Sequence, residues 1–101
     1  MTKRTRATSI SAEVRRRVSD RDGGECIFCH RLGNPEAHVI SRAQGGLGIE
    51  QNIITVCREC HERMDASTDR PIYVAMAEEY LRRIYGEEFD KTQRKYRKGN
   101  A

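Results

Sequence analysis

Residues 36–65 read EAHVISRAQGGLGIEQNIITVCRECHERMD, and their reading decides the fold. Ala37-His38-Val39-Ile40 has the composition of a short strand. Residues 52–56, NIITV, form a second, β-branched through its middle. The connection between them holds Gly45, Gly46 and Gly48, which suits positive φ angles or a close backbone approach. Two such strands predict an antiparallel ribbon. Cys57 ends the second strand, and a helix is expected from Arg58 to about Ala66. His61 and Asp65, four residues apart, then share one face of that helix.

The cysteines extend this unit upstream. CIFCH at residues 26–30 matches CRECH at 57–61. Each spells a c-type haem attachment signature, but that chemistry belongs outside the cytoplasm. The first residues, MTKRTRATSISAEVRRR, are basic with no apolar run behind them, so no export signal is expected. In a reducing cytoplasm two CxxC pairs point to one structural zinc on Cys26, Cys29, Cys57 and Cys60. Haem and four unligated thiols are the competing readings.

Composition explains why a metal would be needed. The chain has 101 residues, 37% hydrophobic and 34% charged, with no Trp. That length allows one domain with a thin core, which a metal staple would stabilise. No stretch reaches transmembrane length. The net charge of +4 suits a polyanionic partner.

Residues 1–10, with Lys3, Arg4 and Arg6, read as a disordered basic arm, either a solvated tail or a phosphate contact. Ser11 caps a helix over about 12–21, with Glu13 in its first turn, and Gly23-Gly24 stops it. Gly33-Asn34-Pro35 marks a turn. Thr68-Asp69-Arg70-Pro71 starts a helix running to about residue 85, which Gly86 ends. Its stripe of Tyr73, Met76, Ala77, Tyr80, Leu81 and Ile84 predicts core packing. The tail from Glu87 holds Lys91, Arg94, Lys95, Arg97 and Lys98 around Tyr96, a solvated charge run or a DNA contact.

With the cysteines assigned to zinc, His38, Asn52, His61 and Asp65 remain. Here the chain resembles the HNH endonucleases, the ββα-metal nucleases, and is most similar to their small four-cysteine phage and prophage members. The resemblance runs from Cys26 to Asp65. It rests on His38, Ser41-Arg42, Gly45-Gly46, the run from Asn52 to Cys57, and Cys60-His61. It extends less specifically over Tyr80–Lys98.

The resemblance implies an α+β fold, a small zinc-stabilised ββα-metal domain with flanking N- and C-terminal helices. The domain would span 11–86, its zinc-stapled core 26–66, between the arm 1–10 and the tail 87–101. A metal-dependent DNA endonuclease follows, hydrolysing phosphodiester bonds by nicking or cutting double-stranded DNA. In that reading His38 is the general base, Asn52 fixes the loop that orients it, and His61 binds the catalytic ion. Asp65 is a second ligand, and Mg²⁺ or Mn²⁺ suits the oxygen-rich remainder. Arg42 is either a phosphate clamp or a plain surface arginine.

The family often carries a metal-binding Asp or His immediately before the base. Here that residue is Ala37. A strand would point Glu36 and Ala37 to opposite faces, and Glu36 receives no role, nor does His30. Ala37 is the argument for the alternative, a catalytically weak or inactive zinc-stabilised DNA-binding module. The expected setting is a bacterial cytoplasm, with the gene in the host or a phage. The expected form is a monomer or weak homodimer without membrane contact, and phage packaging proteins are the partners that analogy suggests.

Overall fold

Two short strands form the centre of the molecule. The computed structural model describes residues 2–66 and 68–97. Helices α1 (Lys3–Thr8) and α2 (Ala12–Asp22) precede strand β1 (Asn34–His38). A 3₁₀ turn (Arg42–Gln44) and strand β2 (Ile53–Val56) follow, then α3 (Arg58–Asp65), α4 (Arg70–Tyr85) and α5 (Glu87–Lys91). Together these form a small α+β fold in which a two-stranded sheet and helices surround a four-cysteine cluster. Among the described residues no helix is long and apolar enough to cross a membrane.

β1 and β2 pair antiparallel, with Asn34 opposite Val56 and His38 opposite Ile53. The first strand therefore begins three residues earlier than expected, inside the segment read as a turn. The ladder passes from Pro35 opposite Thr55 to Ala37 opposite Ile54, so Glu36 is an extra, bulged residue. A proline, which cannot donate to a ladder, is accommodated beside such a bulge. Val39 and Ile40 lie beyond the strand, although the Val39 N–H still donates to the Asn52 carbonyl at 2.9 Å.

All four residues of β2 are buried. Ile54 and Val56 enter the main cluster with Ala37, Val39, Met64, Ala77, Leu81 and Phe89. Ile53 and Thr55 alternate onto the other face, which α2 covers with the buried Val18. Ser11 caps α2 by accepting from the Val14 N–H at 3.1 Å.

In α4, Ala77 and Leu81 are buried as expected, but Met76 and Ile84 are 49% and 43% exposed. The packed seam keeps Tyr73 and Tyr80 of the expected stripe and adds Val74 and Tyr85. The α5 side of the helix is the one covered, through Phe89.

Neither end of the described chain is a loose extension. The arm expected to be disordered contains α1, with Thr8 buried. In the basic tail, Phe89 is 1% exposed, and the Arg94 guanidinium stacks 4.3 Å over its ring while pairing with Glu78 at 2.8 Å. The expectation for Lys98 falls outside the described residues.

A polar core lies between α2, β2 and α4. Asp22 has no exposed side-chain area, and its partner Arg21 has 10%. Asp22 accepts from Arg21 Nε at 2.8 Å, Arg21 Nη2 at 3.0 Å, the Tyr80 hydroxyl at 2.6 Å and the Thr55 N–H at 3.0 Å. Arg21 also donates to the carbonyls of Glu50 and Ile53 at 2.6 and 2.8 Å. Burial and the bond to Asp22 push the Tyr80 hydroxyl up to about 12. Replacing one member of such a pair leaves the other charge buried and unpaired, at a cost of about 3–5 kcal/mol. Asp22→Ala is therefore expected to lower the unfolding free energy measured by urea denaturation by that amount. A loss under about 1 kcal/mol would mean that water replaces the carboxylate there.

Candidate metal centres and catalytic site

The four cysteine sulfurs lie within 4.8 Å of one another. With metal–sulfur bonds of about 2.3 Å, a tetrahedral zinc holds its sulfurs about 3.8 Å apart, so the cluster fits one such ion. Two turns of the chain build it. The His30 N–H donates to the Cys26 carbonyl, and the His61 N–H to the Cys57 carbonyl, each at 2.9 Å. Without a cation the thiols do not ionise together. The Arg31 backbone N–H helps lower Cys29 to about 7, whereas burial and the neighbouring sulfurs drive Cys60 upward. A metal able to take thiolates removes that conflict. The convergence of all four sulfurs on one point matches a single ion, not two porphyrins held by separate CxxCH motifs. His30 is exposed and adopts a left-handed φ of 66° at the end of the first turn.

Asn52 is fully buried with its side chain saturated. Its Oδ1 accepts from the Ile40 N–H at 2.9 Å. Its Nδ2 donates to the carbonyls of Ile40 at 3.1 Å and Leu47 at 2.9 Å. The amide thus bridges the start and the end of the glycine-rich connection. Gly46 is required beside it, because a Cβ there would collide with the Ile40 carbonyl and lie 2.9 Å from Asn52 Nδ2.

His38 ends β1, where the ribbon and this connection meet. Its Nε2 lies 2.8 Å from the Thr8 carbonyl. A carbonyl only accepts, so Nε2 carries the proton and Nδ1 keeps its lone pair. Burial lowers the His38 pKa, outweighing the Thr8 hydrogen bond that raises it. The charges of Arg42, Arg15 and His61 lower it further. His38 is therefore a neutral imidazole at neutral pH, with one nitrogen free to take a proton.

His61, the second residue of the Cys60-His61 pair, is half-buried on α3. Asp65 Oδ2 lies 3.7 Å from its Nε2, as the helical spacing predicts. Glu36 Oε1 lies 3.5 Å from its Nδ1. The two ring nitrogens diverge, so one ion on His61 takes one of these carboxylates and not both. Asp65 also faces Arg70 Nη1 at 3.7 Å, whereas Glu36 has no other ion pair among the described residues. Arg70 is otherwise structural, donating to the Val39 carbonyl at 2.9 Å.

The strand argument that set Glu36 aside holds for its direction, since Ala37 is 1% exposed in the core while Glu36 is on the surface. That direction leads to His61. Ala37, immediately before His38, thus faces the core, and the carboxylate of Glu36 lies toward His61. Glu36 received no role from the sequence, since its bulge is not visible in a simple alternation. Arg15 was also missed. It lies on α2 with Nη1 3.5 Å from the Pro35 carbonyl, and only tertiary packing brings it near His38. Arg42 is exposed and touches Ser9 Oγ at 3.5 Å.

A family model described as HNH endonuclease matches residues 26–75. That span covers both cysteine turns, the ribbon, α3 and the start of α4, and leaves out α1 and α2. No curated protein and no solved structure matches the chain.

Proposed function

This chain belongs to the HNH endonuclease family, and from that premise we propose that it hydrolyses phosphodiester bonds of double-stranded DNA using a divalent cation. The observation that carries the proposal is His38, a neutral histidine with Nε2 held by the Thr8 carbonyl, within electrostatic reach of His61, which lies beside two carboxylates. His38 takes the proton from the attacking water at Nδ1, while Nε2–H keeps its bond to the Thr8 carbonyl. The resulting imidazolium stays anchored by the same donor. Asn52 holds the ends of the connection, and with them the register of His38. His61 with Glu36 or Asp65 would hold the cation, each carboxylate oxygen lying 3.5–3.7 Å from a ring nitrogen. When bound, Mg²⁺ or Mn²⁺ stabilises charge on the leaving oxygen. Arg42 and Arg15 flank the base and neutralise the phosphates on either side of the scissile one. One site per chain means that a monomer nicks one strand per encounter.

The alternative of an inactive DNA-binding module rested on Ala37, and Glu36 supplies the carboxylate whose lack gave it weight. Conversion of supercoiled plasmid to the relaxed form separates the two. The wild-type protein is expected to nick in Mg²⁺ or Mn²⁺ and to stop on chelation. His61→Ala is expected to lose activity, and Glu36→Gln to need about tenfold or more metal. No nicking with either ion at any concentration tested would leave the binding-module reading standing.

A further inference from the structure

We propose that the N-terminal segment from Arg4 to Ser9 is a latch that positions His38, and that Gly48 is the seat that holds it. The inference rests on the reading of His38 as the base, and it concerns residues outside the span that the family model matches.

Several independent contacts bring the segment to the site. The Thr8 carbonyl takes the His38 Nε2–H at 2.8 Å. The Gly48 N–H donates to the Ala7 carbonyl at 3.0 Å. Arg4 Nη2 donates to the carbonyls of Ala43 at 2.6 Å and Arg42 at 3.2 Å. Arg42, in return, reaches Ser9 Oγ. Thr8 is 3% exposed although its helix is otherwise polar and mostly exposed, so the segment is pressed onto the connection. At Gly48 the approach is too close for any side chain. A Cβ there would overlap the Ser9 carbonyl oxygen and sit 2.6 Å from its carbon.

The physical consequence is a base whose ring orientation is set by a peptide group from a different part of the chain. With the latch seated, the Thr8 carbonyl fixes both the tautomer and the rotation of the His38 ring. With it displaced, His38 stays on β1 but loses its hydrogen bond to the Thr8 carbonyl. Thr8 is a positioning residue that acts through its backbone, so no side-chain change at Thr8 itself removes the interaction. Gly48→Ala does so from the other side, in the full chain.

Two measurements test the latch. In protein labelled with ¹⁵N-histidine above neutral pH, wild type is expected to show a protected His38 Nε2–H signal. Gly48→Ala is expected to lose it to solvent exchange. In plasmid nicking, Gly48→Ala should lower kcat by about 10²-fold with little change in KM for DNA, because a misplaced base slows chemistry more than binding. Zinc content and a cooperative melt establish that the variant is folded. Arg4→Ala, a change at an exposed side chain, should weaken the same signal and lower kcat less. It carries the test should Gly48→Ala fail to fold.

A protected Nε2–H that survives in the folded variants would overturn the latch. So would a lost signal with kcat unchanged. A wild type that does not nick DNA would instead remove the catalytic reading, while the imidazole signal still reports whether the segment holds the ring.

Discussion

Stripping the metal from the four-cysteine cluster is expected to unfold the protein. Structural zinc in small peptides binds with about 10–16 kcal/mol, and whole domains are stable by only about 5–15 kcal/mol. The cluster also carries much of the core. Cys26, Cys57 and Cys60 are among its buried residues, and Phe28 and Cys29 pack against them. A strong chelator with a thiol reductant should abolish the cooperative melt seen by circular dichroism, and added zinc should restore it. Cys57→Ser sharpens the test. Cys57 Sγ also caps α3, accepting from the Cys60 N–H at 3.4 Å, and a serine hydroxyl can keep that bond. Instability of Cys57→Ser therefore reports lost metal and not a lost cap. A metal-free protein that melts at the same temperature as the holoprotein would refute the stapling role.

His38→Ala is expected to reduce nicking by about 10²–10⁴-fold at saturating metal, the range for a general base. The fold should survive, because His38 is partly exposed and its removal leaves one backbone carbonyl able to meet water. The pH dependence gives a second check. The pKa of His38 lies below the ordinary 6.5, chiefly through burial. The active form is the neutral one, so the rate falls as pH drops through the lowered pKa. A cation on His61 pushes in the same direction. The acid limb of the kcat profile should thus lie below pH 6.5 and vanish in His38→Ala. An acid limb retained in the variant, or a rate within a few-fold of wild type, would assign the base elsewhere.

What was legible in the sequence was whatever local pattern determines. Ser11, Gly23 and Gly86 bound helices close to their expected limits, because caps act on the residues beside them. The β-branched run from Ile53 to Val56 is a strand, and the repeated CxxC spacing brings four sulfurs together. What was not legible depends on distant partners. The register of β1 is set by its pairing with β2, and the bulge at Glu36 is invisible to a simple alternation. Arg21 and Asp22 look like ordinary surface charges at the end of a helix. Their burial follows only when Tyr80 and the Thr55 N–H arrive from elsewhere. Met76 and Ile84 have core character but lie outside the packed seam of α4. The position of Thr8 beside His38 has no sequence signature at all.

The glycine-rich connection is held from both flanks of the chain. Ala7 meets Gly48 on one side. On the other, the Leu47 N–H donates to the Arg94 carbonyl at 2.8 Å and the Tyr96 N–H to the Gly45 carbonyl at 2.6 Å. These bonds join residues far apart in sequence, so closing them carries a loop-entropy cost. Synthesis runs from the N-terminus, and the Arg94 and Tyr96 contacts cannot form until those residues have been made. The connection bridged by Asn52 is clamped by two segments, one before and one after residues 26–75, so truncation at either end would loosen it.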